Sequence, residues 1–233
     1  TDTIEFAELN ATLDKLLQHS ITTYRNQKEF TENASHELQT PLAILKNKLD
    51  ILLQSDDLTE RQYHIAEEMN KALIRSSRIN KNLLLLAKIE NNQFDSSELI
   101  RFDTVVLQSM DALQEHFKEK KINVNTDIHS TVEVKGNSGL TEVLINNLLI
   151  NAIRHTSPEG SIRITLSKSG FEVSNSGEQP LNPDLLFKRF SRMSADNRGS
   201  GLGLSIVQEI CKLQGWTVKY SFENNEHTFL VMF

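Results

Sequence analysis

The chain has 233 residues, of which 38% are hydrophobic and 24% charged, so we expect a globular protein with a sizeable core rather than a disordered one. The net charge of −6 argues against nucleic acid as a main partner, because duplex binding requires a basic surface. The single cysteine, Cys211, excludes an internal disulfide, and the longest apolar run, Leu83 to Ala87, is too short to span a bilayer. The sequence begins at Thr1 without a methionine or a signal-peptide pattern, and we expect it to be part of a longer protein.

Residues 1 to about 95 have the apolar spacing of helices. Apolar residues first recur at alternating steps of three and four, which is typical of a coiled coil: Phe6, Leu9, Leu13 and Leu16. The same spacing then reaches polar residues, while a second set competes with it: Leu13, Leu17, Ile21 and Tyr24. The segment 17–28 is therefore either an exposed stretch of ordinary helix or a bistable element that transmits changes in helix packing.

The apolar spacing resumes after this segment, along the line Phe30, Ala34, Leu38, Leu42, Leu45, Leu49 and Leu52. Polar residues 54–57 end the line, and Thr59 followed by Gln62 is the signature of a capping box that starts a second helix. That helix has a similar line: Ile65, Met69, Ala72, Ser76, Ile79, Leu83 and Leu86. Two such helices joined by a short turn predict an antiparallel hairpin. Its apolar faces are covered either by a second copy, giving a four-helix bundle, or by the C-terminal part of the chain; we favour the dimer.

His36 lies between Ala34 and Leu38 but about 200° round the helix from both, so its side chain is expected to face water. Pro41 cannot donate a hydrogen bond to the carbonyl of Glu37, which predicts a kinked or loosened turn just past the histidine. Glu37 can accept the imidazole proton, and Thr40, one turn further on, can orient a water molecule.

The stretch around His36 resembles the H-box of the sensor histidine kinases of two-component systems. It reads Phe30-Thr31-Glu32-Asn33-Ala34-Ser35-His36-Glu37-Leu38-Gln39-Thr40-Pro41-Leu42. The resemblance implies that His36 is the phospho-acceptor on a dimeric helical hairpin. It implies further that Glu37 is the acid/base partner and that Thr40 positions water for dephosphorylating a response regulator. The segment before it, including Leu9-Asn10, is more weakly similar to the last helix of a HAMP relay.

From about residue 96 the pattern changes to short strands and helices. We predict strands over 100–104, 122–126, 131–135, 161–166, 171–174, 216–222 and 228–233, and helices over 105–120, 140–154 and 202–213. The strands at 161–166 and 171–174 form a hairpin around Ser169-Gly170. The segregation of strands from helices predicts an α+β protein, in which the helical hairpin is followed by a two-layer α/β sandwich with a mixed sheet and helices on one face.

One predicted helix carries Asn147 and Asn151, which are four residues apart and share a face, with Arg154 and His155 just beyond. Amide oxygens are suitable ligands for Mg²⁺, and a basic residue can meet the same phosphates; a polar solvent-facing surface is the alternative. The string 147–156 resembles the N-box of the same kinases. This resemblance implies that Asn151 holds Mg²⁺, that Asn147 and Arg154 approach the phosphates of ATP, and that His155 lies against the nucleotide.

A glycine-rich segment precedes the helix predicted at 202–213. Glycines spaced by two allow the backbone to approach phosphate, and the following helix offers free N–H groups at its positive end; a flexible turn is the alternative. The segment resembles the G2 box of the family. The residues that this resemblance implies in nucleotide binding are Gly199, Gly201, Leu202 and Gly203.

The segment 186–192 resembles the F-box of the family. Its basic side chains suit a γ-phosphate, and we favour Arg192 over Arg189 by its position in the motif. Residues 176–200 are rich in loop-forming residues, and we expect them to form the mobile lid over ATP.

One motif departs from the family pattern. The family shows Asp-x-Gly-x-Gly after a strand, and its carboxylate accepts a hydrogen bond from the adenine amino group; here Asn175, Gly177 and Gln179 hold these positions. Asn175 can accept through its amide oxygen, but without charge assistance the bond is weaker. Gln179 replaces the second glycine, and a positive φ there would cost strain. Both changes put tight ATP binding and a strict preference for adenine in question.

The motifs occur in the family's order over residues 28–233. They imply an autokinase that uses ATP and Mg²⁺ to phosphorylate His36 and passes the phosphoryl group to an aspartate of a response regulator receiver domain, with phosphatase activity toward that partner. The expected parts are a coiled-coil signalling helix over 1–27, a dimerisation and phospho-transfer hairpin over 28–95, and a catalytic ATP-binding domain over 96–233. The family also implies the cytoplasmic portion of an inner- or plasma-membrane sensor, linked to the membrane only through segments outside this chain.

Two other functions stay open at this point. A response-regulator phosphatase or scaffold with weak kinase activity would use its nucleotide domain for regulation, and Glu37 and Thr40 would then matter more than His36. Another ATPase of the gyrase superfamily would lack a phospho-acceptor helix, and the helical hairpin argues against it. In the kinase, transfer to His36 occurs within a chain or across the dimer, depending on the handedness of the hairpin.

Overall fold

A computed structural model describes residues 2–55, 57–129, 131–191 and 200–233, without the side chains of residues 2–5, 7–11, 14, 28–32, 35 and 36. The chain divides into two compact units, Thr1–Gln93 and Phe94–Phe233, which are called the hairpin unit and the sandwich unit below. Among the described residues, no helix combines the length and the apolar content needed to cross a membrane.

The hairpin unit consists of helix α1, Asp2–Leu53, and helix α2, Glu60–Glu90, which pack against each other. At 1.5 Å per residue, the 52 residues of α1 span about 78 Å and the 31 residues of α2 about 46 Å. The N-terminal part of α1 therefore extends past the end of α2. The helix runs unbroken through Pro41, so the loosened turn expected there does not interrupt it.

The start of α2 confirms the predicted capping box. The Thr59 hydroxyl accepts a hydrogen bond from the Gln62 backbone N–H at 3.3 Å, and the Gln62 side-chain oxygen accepts one from the Thr59 N–H at 2.9 Å. These two bonds satisfy N–H groups that a helix start leaves without an intrahelical partner. The turn between the helices is therefore fixed by local sequence.

Many apolar side chains of the hairpin unit are exposed in the single chain. Nine side chains on the predicted apolar lines are between 37% and 66% exposed: Phe6, Leu13, Leu16, Leu38, Leu45, Leu52, Ile65, Met69 and Leu83. The competing set is also exposed: Leu17, Ile21 and Tyr24. Packing within the single chain therefore does not favour one set over the other. Contiguous apolar surface of this kind marks an interaction site.

The sandwich unit contains seven strands and five helices in its described residues. In chain order these are β1 Glu98–Arg101, α3 Phe102–Ala112, α4 Gln114–Glu119, β2 Asn123–Ile128, β3 Glu133–Gly136, α5 Ser138–His155, β4 Ser161–Ser167, β5 Gly170–Ser176, α6 Pro183–Leu186, α7 Gly203–Gln214, β6 Thr217–Glu223 and β7 Glu226–Met232. Five strands form one sheet in the order β2-β4-β5-β7-β6; β2 and β4 pair in parallel, and the other pairs are antiparallel. The mixed sheet and the β4–β5 hairpin are as predicted.

Helices cover one face of this sheet. Side chains from β4, β5, β7, α5 and α7 that are at most 2% exposed make the core: Ile162, Ile164, Leu166, Phe171, Val173, Phe229, Val231, Leu144, Leu148, Ile206 and Ile210. Alternate residues such as Arg163, Lys219 and Ser221 are exposed, as expected for a sheet that is buried on one side. The two-layer α/β sandwich is confirmed.

An aromatic cluster closes one part of the core. The ring of Phe102 is completely buried, and its centroid lies 4.7 Å from that of Phe233, 5.4 Å from Phe171 and 5.9 Å from Trp216. Such edge-to-face and tilted contacts stabilise the fold beyond the effect of burying the apolar surface of the rings.

The prediction was wrong around residues 98–120. The strand expected at 100–104 is β1, which ends at Arg101 and pairs with β3 in a second, two-stranded antiparallel sheet. The helix expected at 105–120 already begins at Phe102 and is divided at Leu113. The division has a packing reason, because Leu113 and Phe117 are both buried. Asp103, in the first turn of α3, is bound by Arg101 and by the Thr131 N–H, which fixes the early helix start.

Candidate functional site

The predicted phospho-acceptor segment lies in α1. The backbone of His36 is helical, but its side chain is outside the described part of the structure, so its outward orientation stays a prediction. Glu37 and Thr40 are both exposed, and Leu42, on the predicted apolar line, is half-buried. The structure thus offers a carboxylate and a hydroxyl on the surface of the hairpin within a helical turn of His36.

In the sandwich unit, the predicted asparagine pair lies on α5. Its N-cap, Asn137, accepts a hydrogen bond from the Leu140 N–H at 3.0 Å, which sets the start of the helix. The Asn147 side-chain amide donates to the Val143 carbonyl at 2.8 Å, and its oxygen faces the start of α7. Asn151 lies one turn further on. It is only half-buried, so part of its side-chain amide stays accessible.

The C-terminal end of α5 carries the other two predicted residues, Arg154, which is half-buried, and His155, which is exposed. The ammonium group of Lys120 donates to three backbone carbonyls at this end: those of Ile153 at 2.8 Å, Arg154 at 2.9 Å and Thr156 at 3.1 Å. A cation at a helix C-terminus is favourable and satisfies carbonyls that have no partner within the helix. Lys120 therefore fixes the backbone that presents Arg154 and His155, a role that sequence reasoning missed.

The glycine-rich segment approaches α5 at the start of α7. A β-carbon at Gly203 would lie only 2.8 Å from the Asn147 side-chain oxygen, so a larger residue there would displace that oxygen. Gly201 has a φ of +70°, and a β-carbon there would meet the backbone of Phe190 and Ser191 at 2.8–2.9 Å. Leu202 is completely buried and is the N-cap of α7; its N–H donates to the Ser200 hydroxyl at 3.3 Å, and its side chain accepts no hydrogen bond from the first turn. The N–H groups of such a helix start can bind an anion, here beside Asn147.

Asn175 ends the buried part of β5 and is only 2% exposed. Its side-chain amide donates to the Ser176 carbonyl at 3.1 Å, which directs the amide nitrogen to the backbone and leaves the oxygen as the acceptor. A β-carbon at Gly177 would collide with the imidazole ring of His227, so glycine is needed there for close approach. Gln179 is not among the described residues with a positive φ, so the condition under which it would be strained is not met.

The lid segment is described in part. The short helix α6 starts at its N-cap Asn182, and Leu186 anchors it with 5% exposure. Phe190 is 54% exposed with a φ of +59°. The predicted residues Arg192 and Gly199 both lie outside the described residues.

These elements give the sandwich unit two half-buried amides on α5, a basic C-terminal end of that helix, and the start of α7 next to Asn147. Within the described ranges, no group of three or more His, Cys, Asp or Glu side chains is placed to hold a metal ion. The donors present suit Mg²⁺, which binds proteins through few ligands and completes its shell with water and phosphate oxygens. Asn147 donates only its amide nitrogen, to the Val143 carbonyl, so its contacts do not separate it from Asn151 as a ligand, and the assignment of Asn151 rests on its position in the motif.

Two protein families match this chain. Residues 26–92 match the His Kinase A (phospho-acceptor) domain, and residues 136–233 match the family described as histidine kinase-, DNA gyrase B-, and HSP90-like ATPase. The first match covers the predicted acceptor segment, and the second covers α5, the glycine-rich segment and four of the five strands of the main sheet.

Individual proteins are similar over most of the chain. The heme sensor protein HssS of Staphylococcus aureus (strain JH9) is 33% identical over 211 residues, which are 86% of this chain and 45% of HssS. The chain thus spans about half the length of this relative. The structure of the Acinetobacter baumannii histidine kinase AdeS is similar with a TM-score of 0.60 and 26% identity, over 84% of this chain and 95% of that one. Full-length ShkA in complex with AMPPNP shares the fold, with a TM-score of 0.66 and 21% identity over 87% of this chain and 45% of ShkA.

Proposed function

Because this chain belongs to the histidine kinase family, we propose that it is an ATP-dependent autokinase that phosphorylates His36 and hands the phosphoryl group to a response regulator. The observation that carries the proposal is the combination of an acceptor helix with an ATPase domain in which Asn147 faces a glycine-rich helix start. Autophosphorylation needs both units, because the hairpin unit offers the phosphoryl acceptor and the sandwich unit binds the ATP that donates the group.

In this proposal the sandwich unit holds the nucleotide through residues that bind the metal ion, the phosphates and the adenine base. Asn151 binds Mg²⁺, which supplies charge stabilisation on the phosphates when it is bound. Asn147 and Arg154 meet phosphate oxygens, as do the N–H groups that follow Gly201, Leu202 and Gly203. His155 lies against the nucleotide, and Asn175, next to Gly177, accepts from the adenine amino group. Gly199 and Arg192 complete the set, the latter at the γ-phosphate.

The chemical step is an in-line displacement at the γ-phosphorus. A ring nitrogen of His36 forms the new N–P bond, the bond to the β-phosphate oxygen breaks, and ADP leaves with the electron pair. The ring must lose one proton, and Glu37, next in sequence and exposed, is the group that takes it. The phosphoryl group then passes from His36 to an aspartate of the receiver domain. Thr40 positions water for the reverse task of dephosphorylating that partner.

The assembly that this function requires is a homodimer formed through the hairpin unit. Its support is the exposed apolar line on both helices, which a single chain leaves in water. A second copy covers the two lines at once by forming a four-helix bundle. We further propose that the chain is the cytoplasmic portion of a membrane-linked sensor. The support is that HssS is named a sensor protein and that the matched region makes up 45% of its length.

The kinase proposal is tested by incubating the chain with γ-labelled ATP and Mg²⁺. The expected product is labelled protein in which the label is lost in acid and retained in base, as for a phosphoramidate. His36→Gln should abolish the label. His64→Gln, a matched change at an exposed histidine of α2, should retain it. No label on the unsubstituted chain at millimolar ATP would contradict the kinase proposal.

The same experiment decides the second candidate function, a response-regulator phosphatase with weak kinase activity. The observation that favours it is Asn175, an uncharged acceptor where the family has aspartate. If the chain takes no label yet dephosphorylates a receiver domain, and Thr40→Ala stops that reaction, the phosphatase reading replaces the kinase reading.

The metal assignment has its own test. Asn151→Ala should lose Mg²⁺-dependent nucleotide binding, measured by titration with a fluorescent ATP analogue with and without Mg²⁺. Asn146→Ala, a half-buried asparagine on the same helix but off the shared face, is the matched control and should bind normally. Equal Mg²⁺-dependent binding by Asn151→Ala and the unsubstituted chain would show that the ligand assignment is wrong.

A further inference from the structure

The hairpin of β6 and β7 contacts the start of the lid segment. Asn224 and Asn225 form its two-residue turn with φ values of +50° and +59°, the pattern of a type I′ turn. The Asn225 carbonyl accepts a hydrogen bond from the Gly177 N–H at 2.8 Å. The tip of this hairpin thus binds the backbone two residues after Asn175.

A second contact lies four residues further along the lid segment. The Leu181 backbone N–H donates to the Tyr220 hydroxyl oxygen at 2.9 Å, and the same oxygen lies 2.9 Å from Nδ1 of His227. The Tyr220 hydroxyl can accept from Leu181 and still pair with Nδ1, either as the donor or by accepting a second hydrogen bond, according to the tautomer of the histidine ring. Burial lowers the pKa of His227 below its usual range, which agrees with a neutral ring near pH 7.

His227 is held in place on several sides. It is 8% exposed, pairs in register with Asn175, and its ring centroid lies 4.8 Å from that of Phe222. The ring packs so closely on Gly177 that a β-carbon there would collide with it. The histidine therefore fixes both the Tyr220 hydroxyl and the backbone of Gly177.

We propose that Tyr220 and His227 are positioning residues for nucleotide binding. They hold the backbone from Gly177 to Leu181, so that the acceptor at Asn175 and the first residues of the lid are in place before the nucleotide arrives. This inference rests on the proposed function, since it assumes that ATP binds beside Asn175. The motifs that resemble those of the family do not include either residue, and neither touches the reacting phosphate.

The physical effect is preorganisation. Removing the Tyr220 hydroxyl frees the Leu181 N–H, and removing the His227 ring takes away the partner that holds this hydroxyl in place. In either case the segment must then be ordered at the moment of binding. The loss of one such hydrogen bond corresponds to an affinity change of about three- to tenfold. The effect should fall on binding of MgATP rather than on the transfer step, because the contacts are the same before and during the reaction.

The test uses four variants of the full chain. Tyr220→Phe removes the hydroxyl alone, and His227→Leu removes the hydrogen-bond partner of that hydroxyl. His227→Asn retains a partner, because the asparagine amide can accept or donate near the place of Nδ1. Ser221→Ala, an exposed neighbour on the opposite face of β6, is the control. We expect KM for MgATP in His36 labelling to rise three- to tenfold in Tyr220→Phe and His227→Leu, with kcat within twofold, and to stay near the unsubstituted value in the other two.

A second measurement separates positioning from loss of fold. Hydrogen exchange of the peptide containing Leu181, read by mass spectrometry without nucleotide, should quicken in Tyr220→Phe and His227→Leu while core peptides from β4 and β5 keep their protection. Unchanged KM and unchanged exchange in both variants would overturn the inference, as would a fall in kcat at constant KM. If His227→Asn behaves like His227→Leu, the hydrogen bond to Tyr220 is not the basis of the effect. A chain that binds no MgATP in any form would instead contradict the proposed function.

Discussion

The two units of the chain bury their apolar residues in different ways. In the sandwich unit, large side chains such as Phe102, Phe171 and Leu144 are almost completely buried within one chain. In the hairpin unit, Leu45, Ile65 and Met69 are 49–55% exposed although they lie on the predicted apolar lines. The sandwich unit has a core of its own, whereas the hairpin unit needs a second surface to complete one.

This difference fits the proposed division of tasks, with the nucleotide in the sandwich unit and the phosphoryl acceptor in the hairpin unit. A nucleotide site needs positions fixed to a fraction of an ångström, and the contacts of Asn147 with Gly203 and of Lys120 with α5 come from a closed core. A signalling helix needs packing that can change, and an interface between copies is easier to repack than a core. The three predictions below test this comparison, beginning with the largest effect.

The largest expected effect is in the aromatic cluster of the sandwich unit. Phe102→Ala removes a fully buried ring that contacts three others, and it should lower the free energy of unfolding by about 3–5 kcal/mol. Urea unfolding followed by Trp216 fluorescence measures it. Phe190→Ala, the same truncation at a side chain that is 54% exposed, should cost less than about 1 kcal/mol. Equal costs for both variants would show that the cluster is not a core.

The next effect concerns the exposed line of the hairpin unit. Leu45→Lys places a charge in the proposed bundle core, and it should raise the dimer dissociation constant at least a hundredfold, about 3 kcal/mol. Sedimentation or light scattering at tens of micromolar measures it. Leu99→Lys, at a leucine of the sandwich unit that is 66% exposed, should stay dimeric. A monomeric unsubstituted chain, or a dimeric Leu45→Lys variant, would contradict the dimer.

The smallest effect depends on pH and is confined to the sandwich unit. Hydrogen bonds from Arg101, together with the Thr131 N–H, lower the pKa of Asp103 to about 2. Because the pKa is lower in the folded state, this stabilisation is present above about pH 4 and is lost as the pH falls toward 2. Arg101 is half-exposed, so the contribution is about 1 kcal/mol. The unfolding free energy of the unsubstituted chain should fall between pH 4 and pH 2 relative to Asp103→Asn; parallel curves would contradict the shift.

What the sequence predicted well depends on local signals. The capping box of Thr59 and Gln62 was predicted because both partners lie within one helical turn. The β4–β5 hairpin and helices α5 and α7 followed from apolar spacing and turn residues. The same holds for the asparagine face of α5, since two residues four apart on a helix must share a face.

What the sequence did not predict depends on contacts between distant segments. Lys120 reaches carbonyls more than 30 positions away, and Tyr220 binds a backbone N–H 39 residues earlier. Neither residue carries a local signal, because lysine and tyrosine in these positions look like ordinary surface and strand residues. The β1–β3 sheet was missed for the same reason. Tertiary packing brings such segments together, and local spacing does not contain that information.

The most direct measurement is the site of the phosphoryl group on the full chain after incubation with MgATP. Mass spectrometry under conditions that preserve phosphoramidates should find one phosphoryl group per chain, on His36, and none in the Asn151→Ala variant. The proposal is that the hairpin unit accepts the phosphoryl group of ATP held by the sandwich unit. It would be contradicted by a phosphoryl group on a residue other than His36. Phosphorylation of His36 in Asn151→Ala at the rate of the unsubstituted chain would contradict it as well.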